Sequence, residues 1–370
     1  MKIAFLNPQG NFDPQDRYWT AHPDFGGQLV YVKEAALALG RMGHRVDILT
    51  RRIVDPQWAG FEQMLDAYLG EPNVRIVRLP CGGDRFRRKE ELWPLLGTEW
   101  LPRIVEFYAQ EGSQPEAATA HYGDGGLAGA LWQARGGPPF TFTAHSLGAQ
   151  KLDRLLARGQ DSLADLDARY RFGRRIVAER LAMNHASRII TSTRQERLEQ
   201  YSHPAYRGAV DPADDAKFAV VPPGVNLRIF DAGVQGPDDE RIAAYLERML
   251  VRDIDAERRR LPAVLCSSRL DAKKNHIGLV RAFAGSATLQ AAANLLIVVR
   301  RADDIHSREG LTAPEQAILN EIVAVCEAHD LWGRISVFSL ASQNELAAAY
   351  RHLSARRSVF ALTTLYEPFG

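Results

Sequence analysis

Cysteine is scarce in this 370-residue chain: Cys81, Cys266 and Cys326 lie far apart and in no CxxC spacing. An odd number of thiols so placed gives no support to a disulfide frame or a cysteine zinc site, and it fits a reducing cytosol. Long apolar runs are missing too. No stretch approaches the roughly 20 residues of a membrane span, and the opening MKIAFLNPQG is interrupted at Asn7 and Pro8, too early for a signal peptide. A cytoplasmic location is therefore expected. Nor is there an excess of one charge: 46 basic against 45 acidic side chains leave a net charge of +1, which argues against a nucleic-acid partner. The charge runs at 85–91 and 253–260 mix signs and read as solvated faces. Repeats and low-complexity segments are also lacking.

What the chain does contain is a soluble-enzyme composition, 46% hydrophobic and 25% charged, on a length too great for one compact core. Apolar β-branched segments alternate with amphipathic ones, the sign of a parallel sheet flanked by helices. Strands are predicted at 2–6, 46–50, 74–79, 117–120, 140–143, 189–192 and 219–221, with helices around 28–42, 100–110, 126–134, 165–184 and 194–201. Pro222-Pro223-Gly224 then breaks the rhythm. The expected domains are residues 1–222 and 223–370. A charged helical passage opens the second, followed by strands at 263–267, 295–299, 335–338 and 359–362 and helices at 277–284, 314–329 and 344–352. The chain stops at Glu367-Pro368-Phe369-Gly370, where a Rossmann-like domain would next need a helix, so the second domain is expected to be incomplete.

Ligands of such sheets bind beyond the carboxyl ends of the strands, which makes each strand-to-helix loop a candidate. Gly26 and Gly27 open an amphipathic helix, and a glycine loop there brings unpaired N–H groups to a phosphate or sugar oxygen. The segment 123–128, GDGGLA, formally fits a dinucleotide fingerprint, but the acidic residue expected about 20 positions later is absent. AHSLG at 144–148 is one substitution from the nucleophile elbow of α/β-hydrolases, leaving an alternative in which Ser146 is a nucleophile. Lys151, Arg174 and Arg175 would suit a phosphomonoester if they converge. In the second domain Arg269 and Lys274 lie between a strand and a helix, a cation pair suited to a departing diphosphate. Glu367 stands at a strand end, placed to hold sugar hydroxyls. The D-x-D pairs at 165/167 and 253/255 lie in charged helical passages and read as surface carboxylates, so no metal site is expected.

Eight separated motifs, NPQGNFDP (7–14), HPDFGGQLVYVKE (22–34), HYGDGGLAG (121–129), AHSLGAQK (144–151), RRIVAERL (174–181), VPPGVN (221–226), SRLDAKKN (268–275) and YEPFG (366–370), occur in an order that resembles the retaining nucleotide-sugar-dependent glycosyltransferases of family 4, closest to the sucrose-phosphate synthases. The resemblance implies an α/β fold of two Rossmann-like domains facing a cleft (GT-B type), the first for a sugar-phosphate acceptor and the second for a nucleotide sugar. It implies transfer of glucose from UDP-glucose to fructose 6-phosphate with retention, no cofactor, no essential metal and a sucrose-phosphate phosphatase as partner. By the same resemblance Gly26, Gln28, Tyr122, Ser146, Lys151, Arg174 and Arg175 contact the acceptor. Gly27, Arg269, Lys274 and Glu367 contact the donor, and His145, Arg269, Lys274 and Glu367 carry catalysis. Alternatives left open are a mannosylfructose-phosphate synthase-like use of GDP-mannose, a non-catalytic sugar-phosphate-binding fragment, and the Ser146 hydrolase. Arg300-Arg301-Ala302 departs from the Arg-Gly more usual in the family.

Overall fold

A computed structural model of the chain describes residues 1–9, 11–17 and 26–365. Met1–Pro223 forms one compact unit, and a second begins at Gly224. The first holds strands β1 (Lys2–Leu6), β2 (Arg45–Arg51), β3 (Leu65–Ala67), β4 (Val74–Leu79), β5 (Ala117–His121), β6 (Phe140–Thr143), β7 (Arg188–Thr191) and β8 (Phe218–Val220), in the order β3-β4-β2-β1-β5-β6-β7-β8. All neighbours pair in parallel except β3 with β4. Strand alternation feeds two cores: Ala4 and Leu6 enter one with Trp100, Phe140 and Phe142, while Phe5 enters the other with Val32, Ile48 and Ile76.

The second unit has β9 (Ala263–Ser267), β10 (Asn294–Val298), β11 (Ile335–Phe338) and β12 (Val359–Phe360), all parallel, in the order β11-β10-β9-β12. Its sheet is likewise buried on both faces. Cys266, Leu295 and Ile297 pack on one side, and Leu265, Leu296 and Val298 on the other. The three cysteines are buried free thiols. No helix among the described residues is long and apolar enough to cross a membrane.

Several sequence expectations are corrected. The helix placed at 126–134 spans Tyr122–Gln133, so the glycines at 123, 125 and 126 lie inside it. They serve packing: a Cβ on Gly125 would sit 2.3 Å from the Leu6 carbonyl oxygen, and one on Gly126 would sit 2.5 Å from the Ala182 Cβ. The helix expected over 165–184 is two, Leu163–Tyr170 and Phe172–His185, broken where Arg171 takes a left-handed conformation at φ 51°. Helix Gly148–Leu156 and the three-residue edge strand β3 have no counterpart among the sequence expectations; β3 has no buried residue to give it a pattern.

Candidate functional site

In the first unit, candidate groups gather at the carboxyl ends of β1, β5 and β6. Gly26 caps the helix Gly27–Arg41 with an extended backbone, φ −149°, no side-chain cap and no acid in the first turn. Among the described residues, a Cβ on either Gly26 or Gly27 would meet nothing within 4 Å. Neither packing among the described residues nor a positive φ requires these glycines; what they leave open there is access to the helix's first amides. Gln28 ties this helix start to the loop after β1 by donating through Nε2 to Asn7 Oδ1 at 3.0 Å.

His121, at the end of β5, meets His145 of the β6 loop, Nδ1 to Nε2, at 3.0 Å. Phe5 stacks on His121, and Tyr31 sets its ring edge-on to both imidazoles. Burial pushes the His121 pKa down to about 3, and burial with the neighbouring His121 holds His145 well below its ordinary value. Both are neutral at pH 7. His145 can therefore donate or accept a hydrogen bond to a sugar hydroxyl, but it does not present an imidazolium.

A buried polar hub lies beside them. Glu179, fully buried, accepts the Gly148 amide at 3.0 Å on each carboxylate oxygen and Arg175 Nε at 2.8 Å. The Tyr206 hydroxyl also donates to Glu179, and accepts from the Ala149 amide at 3.1 Å. Arg175 Nη2 donates to the Ser146 carbonyl at 2.7 Å and to its hydroxyl at 3.1 Å, and the guanidinium lies 4.4 Å from the Tyr122 ring centroid. Burial opposes the Arg175 charge, yet Tyr122 and Glu179 outweigh it and raise the pKa, so the arginine stays cationic. Lys89 is 5.5 Å from the same Tyr122 ring. Tyr122 itself adopts φ 66°, a left-handed conformation uncommon outside glycine.

Tyr122, Ser146 and Arg175 are therefore brought together, and the two remaining expected cations have neighbours of their own. Lys151 lies over the rings of Tyr170, at 4.5 Å, and Phe172, at 6.0 Å. Arg174 is exposed and lines a cavity of about 460 Å³ with Trp93, Pro94, Leu127 and Val177, roughly 100° around the helix from Arg175. Arg174 and Arg175 do not converge as expected. The hydrolase alternative also lacks its geometry: the strained residue of its loop is His145, φ 57°, and the Ser146 hydroxyl is met by Arg175 rather than by an imidazole.

In the second unit, Arg269 is exposed in the loop after β9. Ser268 Oγ pairs with Nε2 of the buried His276 at 2.9 Å, which anchors that loop to the following helix, His276–Ala284. The turn carrying Lys274 is closed by Asp271, which accepts the Lys273 amide, and by Asn275 at φ 54°, whose side chain caps the helix. Beyond β12, Thr363 Oγ1 donates to the Asn275 carbonyl at 3.0 Å and the Leu365 amide to the Lys273 carbonyl at 2.9 Å. The chain after β12 is thereby held at this same turn. Glu367 lies outside the described residues, as do Gly10, His22 and the rest of 18–25. No metal-binding cluster of His, Cys, Asp and Glu occurs among the described residues.

Sequence reasoning passed over Lys89, hidden in a mixed-charge run, and over Tyr206 and His276. The Arg175–Glu179 pair was legible from its i,i+4 spacing on a helix.

A glycosyl transferase 4-like domain matches residues 26–224. The chain is 44% identical over 370 residues to a probable sucrose-phosphate synthase of Thermosipho melanesiensis, covering 100% of this chain and 78% of that protein. It is 31% identical to probable sucrose-phosphate synthase 2 of Craterostigma plantagineum, covering 94% of this chain but only 38% of that much longer relative. Among solved structures, the sucrose-phosphate synthase of Thermosynechococcus elongatus matches with a TM-score of 0.65 and 22% identity, over 100% of this chain and 77% of that one. That likeness carries the fold of two Rossmann-like domains.

Proposed function

Because the chain belongs to the sucrose-phosphate synthases of the glycosyl transferase 4-like family, we propose that it transfers glucose from UDP-glucose to fructose 6-phosphate, yielding sucrose 6-phosphate with the α configuration kept. The observation that carries this reading is the 44% identity along all 370 residues. In it the first unit holds the acceptor. Gly26, Gln28, Tyr122 and Ser146 meet the sugar, and Lys151 and Arg175 meet the 6-phosphate. Lys89 joins them on the geometry around Tyr122. Arg175 spends Nε and Nη2 on Glu179 and Ser146, leaving Nη1 for the ligand.

The second unit holds the donor through Arg269, Lys274 and Glu367, with Gly27 meeting the diphosphate. In the transfer, the bond from glucose C1 to the β-phosphate oxygen breaks and a bond from C1 to the anomeric oxygen of fructose forms on the same face. The hydroxyl proton passes to the departing phosphate oxygen. Fixed cations stabilise the charge that grows there, and positioning supplies much of the rest. Neutral His145 holds a hydroxyl of the donor glucose. No cofactor or essential metal takes part, the reaction runs in the cytoplasm, and a sucrose-phosphate phosphatase consumes the product.

Incubation with UDP-glucose and fructose 6-phosphate should release UDP and sucrose 6-phosphate in equal amounts, with or without EDTA. Turnover with GDP-mannose instead would reassign the donor, and acceptor binding without turnover would support a binding role only. Loss of UDP release on EDTA treatment would reverse the metal assignment alone.

A further inference from the structure

One arginine of the second unit has a buried donor that no described residue meets. Arg300 follows β10 at the carboxyl edge of the sheet, and its Nη1 is buried without a hydrogen-bond partner among the described residues. A buried donor on a charged group is expensive to leave unmade, and its orphaning in a native site signals a missing partner. Burial and the adjacent Arg301 both push the Arg300 pKa down, so the surrounding fold opposes its charge. Arg301 adds a second cost: it sits at φ 69°, in the region that favours glycine.

The register says what stands beside Arg300. Strands β9 and β10 pair in parallel with Val298 opposite Ser267, and the Ser268 amide still bonds the Val298 carbonyl at 3.3 Å. Arg269 and Arg300 are each two residues past that pair, on neighbouring chains spaced about 5 Å apart. Two guanidinium-bearing loops thus leave adjacent strands at the same level, at the edge where open parallel sheets bind ligands. A dianion or trianion with several oxygens a few ångströms apart is the chemistry that satisfies both.

We infer that Arg300 is a donor-binding residue that takes a phosphate oxygen of the nucleoside diphosphate beside Arg269, extending the cation pair of Arg269 and Lys274. This rests on the donor assignment proposed above. Its consequence is that affinity at this position follows the diphosphate and not the base.

The test is equilibrium binding of UDP, inorganic pyrophosphate and uridine to the 370-residue chain and to its Arg300→Gln and Arg269→Ala variants, with thermal midpoints taken without ligand. Arg300→Gln should weaken UDP and pyrophosphate alike, by about ten- to a hundredfold. Uridine should be unaffected, and the unliganded midpoint should stay level or rise because a half-buried cation with an orphaned donor has gone. Weakened UDP with unchanged pyrophosphate would overturn the inference, placing the contact on the nucleoside. Unchanged affinity for both would overturn it too, as would a fall in midpoint with affinity intact, the mark of a structural arginine. If Arg269→Ala leaves UDP binding unchanged, or the unaltered chain binds no UDP, the donor assignment itself falls.

Discussion

Glu179 is a side chain whose loss separates charge from shape. It is fully buried, holds two consecutive contacts of the 148–149 helix start directly or through Tyr206, and neutralises Arg175. Glu179→Gln keeps the volume but strands a buried guanidinium. Breaking such a pair costs about 3–5 kcal/mol, and the fructose 6-phosphate KM should rise because Ser146 loses its anchor. Urea denaturation with acceptor kinetics checks this; a loss under about 1 kcal/mol would mean that Arg175 finds other support. The imidazole pair makes a second prediction, with an opposite dependence on acid. His121 has a folded pKa near 3, below the unfolded value of about 6.5. The neutral form is the one the fold favours, so its contribution is whole above about pH 6.5 and is lost as pH falls toward about 3, at roughly 1.4 kcal/mol per unit. In His121→Asn the drop in stability between pH 6.5 and 5 should be shallower than in the parent. Parallel curves would show that the fold leaves the His121 pKa unshifted. These residues were only partly readable from sequence. His145 and Arg175 stand in strand-end and helical contexts that spacing reveals, but the pairing of His121 with His145 joins residues 24 apart, and no local pattern records it.

The segments around the two glycine clusters look alike in sequence and behave differently. Both open helices after strands, and both read as places where backbone approaches a ligand. In helix Tyr122–Gln133 the glycines instead let the helix lie against β1 and against helix Phe172–His185. In helix Gly27–Arg41 nothing from the described residues fills the space beside Gly26 and Gly27. Gly125→Ala should therefore cost about 1–3 kcal/mol or more by overpacking against the Leu6 carbonyl. Gly26→Ala should leave the unfolding midpoint within about 0.5 kcal/mol while weakening fructose 6-phosphate binding. Thermal denaturation beside acceptor calorimetry distinguishes the two; equal destabilisation would show that Gly26 also packs. What sequence could show here was the strand-then-helix alternation, because burial on both faces leaves continuous apolar runs. It could not show β3, which pairs through its backbone with Asp66 among exposed neighbours, nor the break at Arg171, where no glycine or proline marks the left-handed turn. The start of helix Tyr122–Gln133 was obscured for a related reason: glycine is a poor helix former, and here packing overrides that propensity.

Across the whole chain, each of the two units carries its own sheet with buried residues on both faces, and the contacts described among the acceptor candidates are made inside Met1–Pro223. Lys89, Tyr122, Ser146, Arg175, Glu179 and Tyr206 reach one another without any residue of the second unit. A unit of that length buries enough surface to fold without help, and its loops are held by strands that pair only within it. Residues 1–223 expressed alone should therefore unfold in one cooperative transition and bind fructose 6-phosphate within about tenfold of the intact chain, while UDP binding disappears. The tenfold margin corresponds to about 1.4 kcal/mol, room for one charge-assisted contact made from beyond residue 223. Calorimetry on the fragment and the intact chain decides the matter. A fragment that folds but has lost the acceptor would place decisive phosphate or sugar contacts in the second unit and overturn the assignment of Tyr122 and Arg175. Retained UDP binding would move the diphosphate from Arg269 and Lys274 to the amides at Gly27, a helix N-terminus without an acid in its first turn.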